Sequence, residues 1–219
     1  MGVKATASGG GGGNFERLES GAYPARCVHV IGMGTHPNNH PQAKAGSKKV
    51  EVMIVWEVSE LMEDGRPFTV NKRYTLSLGT KANLYKDLVA WRAKAFTDDE
   101  LQGFDLSNIL DAKCLLSISK TEKGDKTYNK VEGVMPLPKG MEVIERQNPL
   151  IDFAVEELGS NEETMKQIWP WVKKIIWESE EGKVFHAANP NYAPDQPKEG
   201  EDATSAGAGT GNPDSEIPF

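Results

Sequence analysis

Ten residues, Lys49 to Val58 (KVEVMIVWEV), constrain this chain more than any others. They are rich in β-branched and aromatic side chains and contain neither Gly nor Pro, which suits a central β-strand. The flanking sequence supplies partners for it. Gly21 to Gly34 (GAYPARCVHVIGMG) alternates Ala25, Cys27, His29 and Ile31 with Arg26, Val28 and Val30, the pattern of a half-buried strand. Residues 35–48 hold two prolines and polar side chains and make a long loop. Glu63-Asp64-Gly65-Arg66 is a turn that joins the central strand to Pro67–Leu78 as a hairpin.

The rest of this unit changes period once. Thr80 to Lys94 places Leu84, Leu88 and Trp91 at i, i+4 and i+7, which predicts a helix. A short helical turn starts at Asp98, and Phe104, Leu106, Ile109 and Leu110 read as docked apolar residues. Ala112–Ser119 and Thr127–Met135 predict two more strands around a hairpin tip at Glu122-Lys123-Gly124-Asp125. Five strands with a helix between the third and fourth match the topology of a five-stranded OB-like barrel in a mostly β chain. A small open α+β sheet uses the same elements, and periodicity does not separate the two.

The ends differ in composition. Residues 1–14 form a Gly-rich arm with five consecutive glycines, Gly9 to Gly13, and are expected to be flexible. Residues 15–148 hold the β-rich, OB-like domain. Residues 149–189 form a helical extension packed on it, in which 161–180 carries Trp169, Trp171 and Trp177 and is broken by Pro170. Those rings either clamp the helices onto the barrel or offer a surface for a partner or for self-association, so a homo-oligomer is one expectation. Residues 190–219 form an acidic tail, expected to be disordered. Between Asp195 and Glu216 it has no Val, Leu, Ile, Phe, Trp, Tyr or Met, yet it ends in Ile217-Pro218-Phe219. The formal charge is -7, and it is unevenly spread. Residues 14–150 carry 19 basic and 18 acidic side chains, so the acidity lies in the C-terminal third.

Single strands are bound without sequence preference by cations for phosphates and flat rings for bases. Pro67–Leu78 interleaves Phe68, Lys72, Arg73 and Tyr74, with Phe68, Lys72 and Tyr74 on one parity and Arg73 on the other. The two rings face either an outer groove or the core. Trp56 has the same two alternatives, and its parity mates Ile54 and Val58 favour the core. The hairpin Lys120–Lys130 carries Lys120, Lys123, Lys126, Lys130 and Tyr128 against Glu122 and Asp125. The 35–49 loop adds Lys44, Lys48 and Lys49, and the helix carries Lys81, Lys86, Arg92 and Lys94. Single-stranded DNA is the partner these residues suggest. A protein–protein adaptor of a replication or recombination complex, with incidental DNA contacts, is the alternative from a different class.

Other chemistry has little support. Cys27, His29, His36 and His40 match no closed zinc spacing. No P-loop, nucleophile elbow or paired carboxylates on a rigid element occurs, so neither an enzyme nor a cofactor is expected. Cys114 reads as a small buried hydrophobe. Two cysteines exclude a disulfide scaffold, and no apolar run approaches a membrane span, so a cytoplasmic location is expected.

The final residues, Asp214-Ser215-Glu216-Ile217-Pro218-Phe219, resemble the tip of bacterial single-stranded DNA-binding proteins. Gly21–Arg26, Phe104–Val134 and Met135-Pro136-Leu137-Pro138-Lys139-Gly140 resemble the single-stranded DNA-binding proteins of bacteriophages. The resemblance implies an OB-like domain over about residues 15–140 that coats DNA in replication, recombination or repair. It implies that Asp214, Glu216, Ile217, Pro218 and Phe219 recruit partner proteins. The chain departs from those bacterial proteins in its Trp-rich helical segment and in having only two acidic residues beside the tip.

Overall fold

The computed structural model describes residues 16–123, 126–190 and 192. The Gly-rich arm and, apart from residues 190 and 192, the acidic tail with its Ile-Pro-Phe tip lie outside the described residues.

Six strands make one sheet. They are β1 (Gly21–Pro37), β2 (Lys48–Leu61), β3 (Pro67–Thr75), β4 (Lys113–Lys123), β5 (Lys126–Met135) and β6 (Ile151–Phe153). The ladder order is β3-β2-β1-β4-β5, antiparallel throughout, with β6 added parallel to β1. Helices α1 (Asn83–Arg92) and α2 (Asp98–Gln102) lie between β3 and β4, and α3 (Glu162–Gln167), α4 (Pro170–Glu178) and α5 (Glu180–Ala188) follow β6.

The expected five-stranded barrel is therefore corrected to an open, mixed sheet with five α-helices among the described residues. Two physical causes are visible. First, β1 is 17 residues long and uses one edge twice, pairing β4 along Gly21–Arg26 and β6 along His29–Ile31. Second, β3 and β5 share no ladder among the described residues, and α1 packs against both. The Asp87 carboxylate on α1 takes the Lys72 ammonium at 2.8 Å and the Tyr74 hydroxyl at 2.7 Å. β3 and β5 remain the two ends of the ladder path, with α1 against both.

The central run is apolar on both parities because both faces of β2 are covered. Val52, Ile54, Trp56 and Val58 enter a first core with Phe68, Val70, Tyr74, Leu84, Leu88, Trp91, Cys114, Leu116 and Ile118. Met53 and Val55 enter a second core with Val28, Ile31, Met33, Phe153, Ile168, Val172 and Ile176. Strict alternation in β1 fails at two register shifts, between Cys27 and His29 and between Gly32 and Gly34. Cys27 and Val30 then face the first core, while Val28 and Ile31 face the second. His29 meets the Trp169 ring, 5.3 Å between centroids. Gly32 lets β6 approach, since a Cβ there would lie 3.1 Å from the Val155 nitrogen and 3.2 Å from the Phe153 oxygen.

The C-terminal layer is held by polar clips as well as by apolar contact. Pro170 opens α4 at its first position, where it costs no hydrogen bond. Ser179 ends α4 and caps α5, accepting from the Gly182 amide at 3.0 Å. Glu181 accepts from the Thr35 amide at 2.7 Å and the Thr35 hydroxyl at 2.6 Å, fixing α5 to the far end of β1. Burial pushes the Glu181 carboxyl up, but the Thr35 donors outweigh it and hold it below the usual range.

Candidate nucleic-acid interface

The β4–β5 hairpin projects basic and aromatic side chains away from the first core. Cys114, Leu116 and Ile118 on β4 point inward with Asn129, Val131 and Val134 on β5. The opposite parity forms an outward row of ladder pairs, Ser119 with Lys130 and Thr121 with Tyr128. Tyr128 is half-buried and Lys130 is exposed. Lys126 and Lys123 occupy the last positions of the ladder, and their side chains lie outside the described residues. Tyr128 thus sets a ring on the same strand face as the exposed Lys130 cation, the two kinds of group that single-strand binding uses.

A strap of residues just before β1 sets the hairpin's position. Asn129 is buried, and its side chain bonds Leu18 as a strand partner would. The Leu18 amide donates to Oδ1 at 3.0 Å and Nδ2 donates to the Leu18 carbonyl at 2.7 Å. The Lys120 amide donates to the Ser20 hydroxyl at 2.9 Å, and Arg17 Nε donates to the Thr127 carbonyl at 3.0 Å. On the outward row Lys130 is 3.0 Å from Glu132, which also accepts from Ser119 at 2.6 Å. Burial raises the Glu132 carboxyl, but Ser119 and Lys130 together hold it below the ordinary glutamate range.

The remaining sequence candidates are not brought to this row. Trp56, Phe68 and Tyr74 belong to the first core, Trp56 with its ring 6.1 Å from Trp91. Burial, then Asp87, holds the Tyr74 phenol protonated far above its usual range. Lys72 is paired with Asp87, and Arg73 and Lys49 both pair with the buried Glu51 on the second-core face of β2. Arg92 lies over the Phe96 and Phe104 rings and pairs with Glu100. Lys120 is 2.6 Å from Glu19. The tip residues Asp214, Glu216, Ile217, Pro218 and Phe219 lie outside the described residues. The sequence reading missed Arg17 and Asn129, because their partners are 110 and 111 residues away and no local pattern announces them.

Among the described residues no group of three or more His, Cys, Asp or Glu is placed to hold a metal ion. Burial pushes the Cys27 and Cys114 thiols up, away from thiolate chemistry. No helix among the described residues is long and apolar enough to cross a membrane.

No protein-family model matches the chain, and no curated protein matches it in sequence. The resemblance to single-stranded DNA-binding proteins of bacteriophages is thus overturned. The sheet is open and the chain helix-bearing, whereas those proteins imply a barrel. The strand fragments that carry the resemblance are matched in sequence without sharing a fold.

Proposed function

We propose that the chain binds single-stranded DNA, without strong sequence preference, through the outward row of the β4–β5 hairpin. The supporting observation is the half-buried Tyr128 ring, outward-facing, between Lys126 and Lys130 on one strand. Tyr128 and Lys130 carry it by their side chains, Lys126 by its place on the strand, and none of them needs a barrel. Base stacking requires an unpaired base, so single strands are preferred over duplex. The protein acts in the cytoplasm, in replication, recombination or repair. Its C-terminal segment, acidic at Asp214 and Glu216 and apolar at Ile217, Pro218 and Phe219, recruits partner proteins of those processes.

Fluorescence anisotropy with labelled oligothymidylate tests the DNA site. Tyr128→Ala lowers affinity about 5- to 150-fold, the equivalent of ~1–3 kcal/mol of stacking, with an unchanged melting curve. Lys130→Glu lowers the log–log salt slope by about 0.7, one phosphate contact on a single strand. Equal affinity for duplex and single strand at moderate salt, or a salt slope of zero, excludes the site. For the C-terminal segment, deletion of Phe219 abolishes capture of replication or repair proteins, whereas scrambling residues 195–213 does not. No DNA binding alongside intact partner capture leaves the adaptor reading.

A further inference from the structure

The outward row does not stop at the hairpin. The same β4 parity runs on through Ser117, Leu115 and Lys113, paired with Ala22, Pro24 and Arg26 on β1. On the other side Gly133 and Met135 of β5 oppose Ser117 and Leu115. The middle of this face is built from Ala, Pro, Ser and Gly, with Leu115 half-buried and Met135 exposed. Small side chains there leave room for a chain to lie close to the sheet, and two apolar ones offer contact to bases.

The far end is basic. Asp111 precedes β4 and holds two arginines, Arg26 at 2.7 Å and Arg146 at 3.4 Å. One carboxylate shared by two guanidinium groups leaves a surplus positive charge. Arg26 also donates to the Ile144 carbonyl at 3.3 Å, so it fixes the 141–150 segment beside the strand. Lys113 is exposed and has no ion pair among the described residues. Asp111 has a φ of 61°, a left-handed conformation uncommon outside glycine, held by its amide's bond to the Cys27 carbonyl at 2.9 Å.

Granting that the hairpin binds DNA, we infer that Lys113, two residues after Asp111 and opposite Arg26, and Arg146, paired with Asp111, are a second phosphate-binding point, and that the strand runs along the outward face of β4 between it and Tyr128. Eight residues of β4 separate Lys113 from Thr121, the partner of Tyr128. At about 3.3 Å per residue the two points are about 26 Å apart. A stacked strand at ~3.4 Å per nucleotide spans that distance in about eight nucleotides, and a drawn-out strand in fewer. Among the described residues Glu132 lies beside this path, bonded to Ser119 and sharing Lys130 with the phosphate that Lys130 would meet.

The inference is tested on the full chain with oligothymidylates of about 4, 8, 12 and 16 nucleotides. Wild-type affinity rises with length and levels off once both points are spanned. Lys113→Glu and Arg146→Glu each weaken the longer oligomers about tenfold, leave the shortest within twofold, and lower the salt slope by about 0.7 for the longer ones only. Arg146→Glu also disturbs the Asp111 contact, so Lys113→Glu, at an exposed position, is the deciding variant. Tyr128→Ala weakens every length. If affinity levels off at the shortest oligomer and Lys113→Glu changes nothing, the second point is wrong and the hairpin site stands. If no length binds, or Tyr128→Ala is silent, the hairpin site itself falls and this inference with it.

Discussion

Tyr74 and Tyr128 sit on strands of the same alternating kind, yet one ring is in the core and the other half outside it. The difference is what lies beyond each strand. Residues Asn83–Arg92 form α1, which closes over Tyr74 and supplies Asp87 as its hydrogen-bond partner. Among the described residues no helix crosses the outward face of β5. Parity was read from the sequence at Tyr74, but which parity faces inward is decided by a neighbour elsewhere in the chain. Tyr74→Ala therefore costs about 3–5 kcal/mol of stability, read by urea denaturation, because it opens a cavity and strands Asp87. An unchanged midpoint for this variant would contradict the assignment of the ring to the core. His29 makes a second prediction at this scale. Burial lowers its pKa to about 4, against a weak opposite pull from the Pro149 carbonyl. As pH falls, the unfolded chain takes up its proton near the ordinary value of about 6.5, before the folded chain does. Stability present above that pH is lost between about 6.5 and 4, at most about 3 kcal/mol from this group. Asp152, opposite Val30, acts in the other direction, since burial, then Asp105 and Glu157, raise its carboxyl. His29→Gln should remove the loss from a plot of urea midpoint against pH. A loss of the same size in both proteins would assign it to other groups.

The elements that depend on local sequence were readable, and those that depend on a distant surface were not. Pro170 announces the break between α3 and α4, and Leu84, Leu88 and Trp91 announce α1. In contrast β6 is three residues long and exists because Ile151–Phe153 finds the edge that β1 leaves open beyond β4. α5 is short, with Val184 exposed, and is placed by Ser179, Glu181 and the close approach of Gly34. Gly34 has a φ of 82°, and a Cβ there would lie 2.6 Å from the Ser179 hydroxyl oxygen. Gly34→Ala should cost about 1–3 kcal/mol and free α5 first, seen as faster amide exchange in residues 180–188 than in β2. The strap before β1 behaves as a seventh strand made from one side chain. Asn129→Leu removes its two bonds to Leu18, at a cost of about 1–3 kcal/mol, with exchange speeding up along β5.

For the molecule as a whole, the candidate site follows from which sheet surface is left uncovered. α3, α4 and β6 bury one face of β1 and β2, and α1 closes the other. That leaves the outward side of β4, β5 and the first half of β1 as the sheet surface open to solvent. Lys113, Tyr128 and Lys130 lie on that surface. The double covering has a price in time. Met53 and Val55 are made early, but the helix residues that cover them, Val172 and Ile176, come late. From Leu61 at the end of β2 to Glu178 at the end of α4 there are 117 residues. A ribosome adding about 5–20 residues per second needs roughly 6–23 s for that stretch. During synthesis the two longest strands wait with one greasy side bare, so a nascent chain of this protein is a natural client for a chaperone that binds apolar β-segments.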